Sequence, residues 1–276
     1  MERVDHSARS SFAANIAFNL LSWGAPLAIA FVVTPILIRG LGLDGYGYYS
    51  FVLAVIGFAF TTGIGRMSAK YIPEERIGKA DGQLAKLLSA SLYITIAVAA
   101  VQGLLIAALA PLLVSEVLLA PQSVQAGLIS AIRIACLIGP VLMLSQVFQS
   151  ATQGLHRFRA FAIITLSAAI FLNAGVIVLV LSGYDIAALF WWNLAVTAIA
   201  AVVFALFVLP RVPEFRPMMP DSAAFAKVLR FASSIFIYQS IYSVFCIFER
   251  ILVVRKFGAE AMTFYAVPLM LGIYLH

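Results

Sequence analysis

Residues 38–49 read Ile-Arg-Gly-Leu-Gly-Leu-Asp-Gly-Tyr-Gly-Tyr-Tyr, and residues 254–265 read Val-Arg-Lys-Phe-Gly-Ala-Glu-Ala-Met-Thr-Phe-Tyr. The two stretches align at a constant spacing of 216 positions: Arg39 answers Arg255, Gly42 answers Gly258, Asp44 answers Glu260 and Tyr49 answers Tyr265. Each lies between two long apolar segments. The repeated unit is therefore a hairpin of helix, turn and helix, and a repeat of that period marks two related lobes.

What surrounds the hairpins places them in a bilayer. Hydrophobic residues make up 63% of the chain, charged residues only 11%, and the mean hydropathy is +1.03, whereas soluble domains carry about a quarter charged residues. A helix crossing the roughly 30 Å hydrocarbon layer needs about 20 apolar residues, because its backbone groups must be satisfied within the segment. Eight stretches qualify, at 12–37, 48–65, 87–113, 128–150, 160–182, 186–209, 231–254 and 261–276. A transmembrane β-barrel would show short alternating segments, and runs such as Leu104 to Val114 do not alternate.

The polar start with Arg3 and Arg9, and a first apolar run too long for a signal-peptide core, predict that the first helix is retained. Cys136 and Cys246 fall singly inside apolar segments and are expected to pack. With the N-terminus inside, thirteen loop cations face the cytoplasm: Arg3, Arg9, Arg66, Lys70, Arg76, Lys79, Lys86, Arg157, Arg159, Arg211, Arg216, Lys227 and Arg230. Only Arg39, Arg255 and Lys256 face outward, a strong positive-inside bias. The net charge of +6 thus reflects topology and membrane lipid, and nucleic acid is excluded as a partner.

Four prolines between Pro210 and Pro220 stiffen a linker that bars a continuous helix. Six helices precede it, so the chain returns to its starting side and the second lobe begins in the same orientation as the first. The expected fold is an all-α polytopic membrane protein of about eight transmembrane helices. Residues 1–215 form a six-helix N-terminal lobe, and 216–276 form the first two helices of a parallel-repeat C-terminal lobe that stops early. Asp221 or Ser222 would cap a short surface helix leading into Phe231.

Polar residues inside spans are costly and face other helices or a wet cavity. Asn15, Asn19 and Ser22 recur at i, i+4 and i+7 in the first helix, followed by Pro26. Gln239, Ser243, Cys246 and Arg250 repeat that spacing in the seventh, with Glu249 beside them. The fourth carries Arg133 toward its outer end and Gln146, Gln149 and Gln153 toward its inner end. These stripes are candidates to line one central cavity. The competing reading is plain interhelical hydrogen bonding for Asn, Gln and Ser, at about 0.6 kcal/mol each, and snorkelling to headgroups for Arg133 and Arg250.

Glu249 follows the apolar run Val244 to Phe248 and is the candidate for ion coupling, or else an arginine's counter-ion. Arg66 and Lys70, one turn apart where the second helix leaves the membrane, would hold phosphate or anchor the helix end at the anionic inner surface. No zincin, P-loop or dinucleotide motif occurs, and His6, His156 and His276 lie in a tail, a loop and the chain end. Neither an enzyme, a metal nor a cofactor is indicated.

The helix with Asn19, the turn Arg39 to Tyr49, the stretch Gly63-Ile-Gly-Arg-Met-Ser-Ala-Lys70-Tyr71, the loop Gln153-Gly154-Leu-His-Arg157-Phe158 and the segment Glu249 to Gly258 running on to Tyr265 together resemble the polysaccharide, or O-antigen, flippases. That superfamily also holds multidrug antiporters and flippases of lipid-linked peptidoglycan precursors. The resemblance implies two six-helix lobes rocking about a cationic cavity, with a lipid-linked oligosaccharide as substrate. Arginines would attract its pyrophosphate, and Asn, Gln and Tyr would meet sugar hydroxyls. Polysaccharide polymerases or glycosyltransferases would be partners in lipopolysaccharide assembly, at the bacterial or archaeal cytoplasmic (inner) membrane. Thr62 stands where an acidic residue often precedes the glycine, which weakens proton coupling there. The alternatives are an organic-cation antiporter of the same superfamily and a truncated, non-transporting scaffold.

Overall fold

The structure, a computed structural model, describes the backbone of residues 6–60, 66–78, 83–215 and 218–275, and the side chains within these except 6–23, 26–27, 75–78, 234 and 270–275. The side chains of Asn15, Asn19 and Ser22, and residue Thr62, lie outside what is described. The elements are α1 (His6–Ala59), α2 (Arg66–Gly78), α3 (Gln83–Leu112) with a π-helical turn at Leu113–Val117, α4 (Gln122–Gly154), α5 (Phe158–Leu181), α6 (Ile186–Val208) and α7 (Ser222–Leu275). Six helical stretches among the described residues are long and apolar enough to cross a membrane.

Two of those stretches are not single rods. α1 breaks at Gly42 (φ 75°, ψ 170°) and α7 at Gly258 (φ 87°, ψ 172°), a backbone region essentially confined to glycine. Both breaks are folds in the chain. The Tyr46 side chain reaches Thr34 across the first, and Tyr265 faces Glu249 across the second, separations of roughly 18 and 24 Å along a straight helix at 1.5 Å per residue. Counting the halves, the described residues form eight long helical segments, of which the unbroken helices and the two broken ones make six candidate spans.

α4 is central, with half of its most apolar window buried, against 11–22% for the other candidate spans. It packs on α1, α2, α3, α5 and α6, while α1 packs in addition on α5 and α7. Bare glycine lets helices approach: the ring of Phe60, fully buried, occupies the space a side chain at Gly139 would take. α6 starts at an Asp185 cap, its carboxylate accepting from the Ala188 amide at 3.0 Å, and is tied to α5 by Trp192 Nε1 donating to the Leu172 carbonyl at 3.1 Å. Leu104, Leu181, Leu206 and Phe171 stay exposed. Such an apolar exterior suits lipid and would be a liability in water.

The inner side differs from the sequence expectation. Residues 66–78, whose cations the sequence places in a loop, form helix α2, with Pro73 inside it. It is too polar for a span, yet Met67, Tyr71 and Ile72 sit on one face and are buried against Leu84, Leu88, Val147 and Val228, as an amphipathic surface helix requires. The proline linker is packed as well, since Val212 and Phe215 belong to the same cluster. Asp221, rather than Ser222, caps α7 by accepting from the Ala224 amide at 2.8 Å. No separate surface helix intervenes before Phe231, because α7 runs on unbroken to Gly258.

Candidate functional site

The two broken helices meet, and their seam gathers the polar stripe of α7. Ser243 and Arg250 are buried, Gln239 and Cys246 half-buried. Ser243 Oγ lies 2.7 Å from the Phe58 carbonyl of α1 and 2.6 Å from the Gln239 carbonyl of its own helix, so its one proton serves two acceptors. The i, i+4, i+7, i+11 spacing thus faces α1.

Arg250 is only 5% exposed. Its guanidinium lies 4.7 Å from the centroid of the Phe58 ring, and Nη1 donates to the Cys246 carbonyl at 2.7 Å. No carboxylate pairs with it: among the described residues the ion pair is Lys86–Asp221. Glu249 is exposed and faces the Tyr265 hydroxyl, which is buried without meeting hydrogen-bond geometry. The Tyr265 hydroxyl senses both the Glu249 carboxylate and the Arg250 guanidinium, but the two charges do not close to an ion pair. The seam therefore holds a cation supported by an aromatic face and a carbonyl, with no ion-pair partner among the described residues. Tyr238 and Tyr242 stack at 6.3 Å beside it, and Tyr242 meets Phe58 edge-on at 5.9 Å.

A second basic group forms where α2 meets α7 at the inner end. Lys70 Nζ lies 5.3 Å from the Tyr71 ring centroid and 5.1 Å from that of Phe231, and Lys227 Nζ lies 4.8 Å from the Tyr71 ring on its own account. The two rings meet edge to face at 5.8 Å. Ammonium groups over aromatic faces gain attraction without losing charge. Arg66 is exposed one turn before Lys70. Beside them is a cavity of about 310 Å³ lined by Gln83, Lys86, Asp221 and Lys227. There Lys86 donates to Asp221 at 2.8 Å, and that bond, with the Ala224 amide, holds the Asp221 carboxyl below its ordinary value.

Other expected members stand apart. Arg133 is exposed on α4, a helix whose main neighbours do not include α7. Gln149 is half-buried and donates to Ser145 Oγ at 2.9 Å within its own helix. Phe58, Tyr71, Phe231 and Lys227 were missed as site residues. The available signal was an aromatic adjoining a basic residue at a span's inner end, as in Lys70-Tyr71 and Arg230-Phe231.

Comparison with solved structures finds the same fold in a chain described as the inward-facing conformation of a multidrug resistance MATE family transporter of the MOP superfamily. The TM-score is 0.65 and the identity 16%, over 92% of this chain and 62% of that one. The present chain thus spans less than two thirds of that structure's length. No curated protein sequence matches it. The family model for polysaccharide biosynthesis proteins matches residues 12–275. A multi-pass helical membrane protein with a MATE-like fold, matched almost end to end, this chain belongs to the polysaccharide biosynthesis protein family.

Proposed function

We propose that the protein translocates a lipid-linked oligosaccharide, a polyprenyl-pyrophosphate glycan, across the cytoplasmic membrane by alternating access. In this reading residues 1–215 are the first six-helix lobe and 216–276 open a second lobe in parallel orientation, as the matching breaks at Gly42 and Gly258 support. The observation that carries the substrate class is Arg250, buried in the seam with no carboxylate partner among the described residues. A cation kept in a low-dielectric site without an ion-pair partner among the described residues favours an anionic ligand, and a diphosphate matches a guanidinium's planar donor set. Arg66, Lys70 and Lys227 at the inner end would draw the diphosphate in from the cytoplasmic leaflet. Half-buried Gln239 and the Tyr238–Tyr242 stack offer hydrogen bonds and ring faces to sugar.

Deleting the gene and restoring it tests the proposal. Surface polysaccharide should disappear and return, and an unchanged surface glycan overturns the reading. The MATE-like fold favours a second possibility, organic-cation efflux coupled through Glu249. Dye efflux from cells expressing the protein separates the two, since a cation substrate would be repelled by Arg250 and Lys70.

A further inference from the structure

The two hairpin tips touch in a way that the 216-residue repeat makes symmetric. Thr263 Oγ1 donates to the Leu43 carbonyl at 2.7 Å. Gly47 lies so close to the Ala259 carbonyl that a Cβ built on it would overlap that oxygen. Leu43 and Ala259 each follow the glycine that breaks their helix, and they are 216 residues apart. Gly47 and Thr263 are also 216 residues apart. Residue 47 of the first hairpin therefore sits on the carbonyl at 259 of the second, and residue 263 of the second sits on the carbonyl at 43 of the first. Reciprocal contact of equivalent positions is the signature of a two-fold axis, and here it relates two halves of one chain.

The contact is tightly sealed. Gly47, Ala259, Met262 and Thr263 are all buried, Met262 completely. Its two arms are chemically unequal. One is a hydroxyl on a carbonyl, and the other is a bare α-carbon against a carbonyl, where only glycine leaves room. A continuous hydrophobic interface could slide. A carbonyl seated against one glycine and another held by one hydroxyl have a single register, so the tips are either engaged or apart.

We propose that this pair of contacts is the outer latch of the protein, engaged when the outward side is closed and parted when the two hairpins separate to release cargo. The latch rests on the alternating-access part of the function proposed above and not on the chemistry of the substrate. Its pseudo-symmetry also predicts how it fails. Removing the Thr263 hydroxyl weakens one arm and leaves the other seated, whereas a side chain at Gly47 wedges both.

The test uses the full-length protein in native membranes carrying Met262→Cys, labelled from outside with a membrane-impermeant maleimide. The rate is taken above the background of the native Cys136 and Cys246. Thr263→Ala should raise the labelling rate about two- to tenfold, the effect of one hydrogen bond on an open–closed equilibrium, and Thr263→Ser should restore it. Gly47→Val should raise it further and abolish surface-glycan export while the protein still reaches the membrane. A labelling rate unchanged in both Thr263→Ala and Gly47→Val, or an equal effect from Thr263→Ser and Thr263→Ala, overturns the latch. If the cargo is not a glycan, the labelling pattern stands while the export readout is silent from the start, so the two failures are told apart.

Discussion

Replacing Arg250 should separate function from stability. An arginine at the centre of a transmembrane helix costs about 2.5–3.5 kcal/mol on insertion scales, an upper bound for Arg250, which lies near the outer end of its span. Against this the structure sets a desolvated contact with Phe58, at 4.7 Å and about 2 kcal/mol, and a charge-assisted bond to the Cys246 carbonyl, at 2.7 Å and about 1.5–3 kcal/mol. The supporting contacts match or exceed the cost, by about 0–2.5 kcal/mol, and the apolar contacts of a leucine would offset much of what is lost with them. Arg250→Leu, which removes the charge and keeps an apolar body, should therefore leave thermal stability within about 1 kcal/mol or raise it, as replacement of buried ionic groups often does. Phe58→Leu, which strips the aromatic face from a charge that stays buried, should cost about 2 kcal/mol. In the double variant most of that penalty should vanish, giving a coupling energy of about 1–2 kcal/mol in a double-mutant cycle. Detergent-purified protein followed by thermal unfolding supplies the four stabilities, and complementation of a deletion strain supplies the activity. Loss of export with stability intact is the expected result for Arg250→Leu. Strong destabilisation with export retained would instead make Arg250 a packing group with no part in transport.

The other predictions concern the frame and the inner end. Gly42→Ala and Gly258→Ala each force a side chain into a glycine-only backbone region and should cost about 1–3 kcal/mol. Gly127→Ala, in α4 with nothing near its added methyl, should instead be neutral or stabilising by about 0.5–1 kcal/mol on helix propensity, and thermal unfolding of the three ranks them. Gly139→Val drives a side chain into the Phe60 ring and should destabilise by about 1–3 kcal/mol, which Phe60→Ala in the same chain should partly relieve. Asp221, its carboxyl held low by Lys86 and the Ala224 amide, contributes stability that is present above the ordinary carboxylate range and lost as pH falls through its lower folded value. Asp221→Asn should therefore weaken the protein at neutral pH and flatten the acid limb of a stability profile, and an unchanged acid limb would show the cap to be idle. Lys70→Ala with Lys227→Ala should lower glycan export without altering the amount of protein in the membrane, as blotting and glycan gels together would show.

Much of the frame was written in local chemistry. Gly42 and Gly258 declared themselves because a helix break with positive φ needs glycine, and the residues around them repeat with it. The stripe ending at Arg250 was legible because helical spacing alone puts Ser243 and Arg250 on one face, and that face turned toward α1. Helix α2 was not legible as an element, since windows tuned to apolar spans pass over a polar segment whose few buried residues, Met67, Tyr71 and Ile72, only acquire meaning once Leu88 and Val228 lie over them. Phe58 could not be assigned to Arg250 because an aromatic within an apolar run has no spacing that sets it apart, and its partner lies far along the chain. Proximity in sequence also misled in one respect. Glu249 adjoins Arg250 and both act on Tyr265, but the guanidinium lies on Phe58 and forms no ion pair with the carboxylate.

In the proposed function an anionic headgroup draws a lipid-linked glycan through the seam that Arg250 occupies. The most direct measurement reconstitutes the native protein in liposomes holding a fluorescent polyprenyl-pyrophosphate oligosaccharide, and follows the rate at which the labelled headgroup moves between leaflets, by quencher accessibility. Translocation should run well above that of protein-free vesicles and be lost in Arg250→Leu protein reconstituted to the same density. A rate equal to that of protein-free vesicles, or one unchanged by Arg250→Leu, would contradict the proposed function.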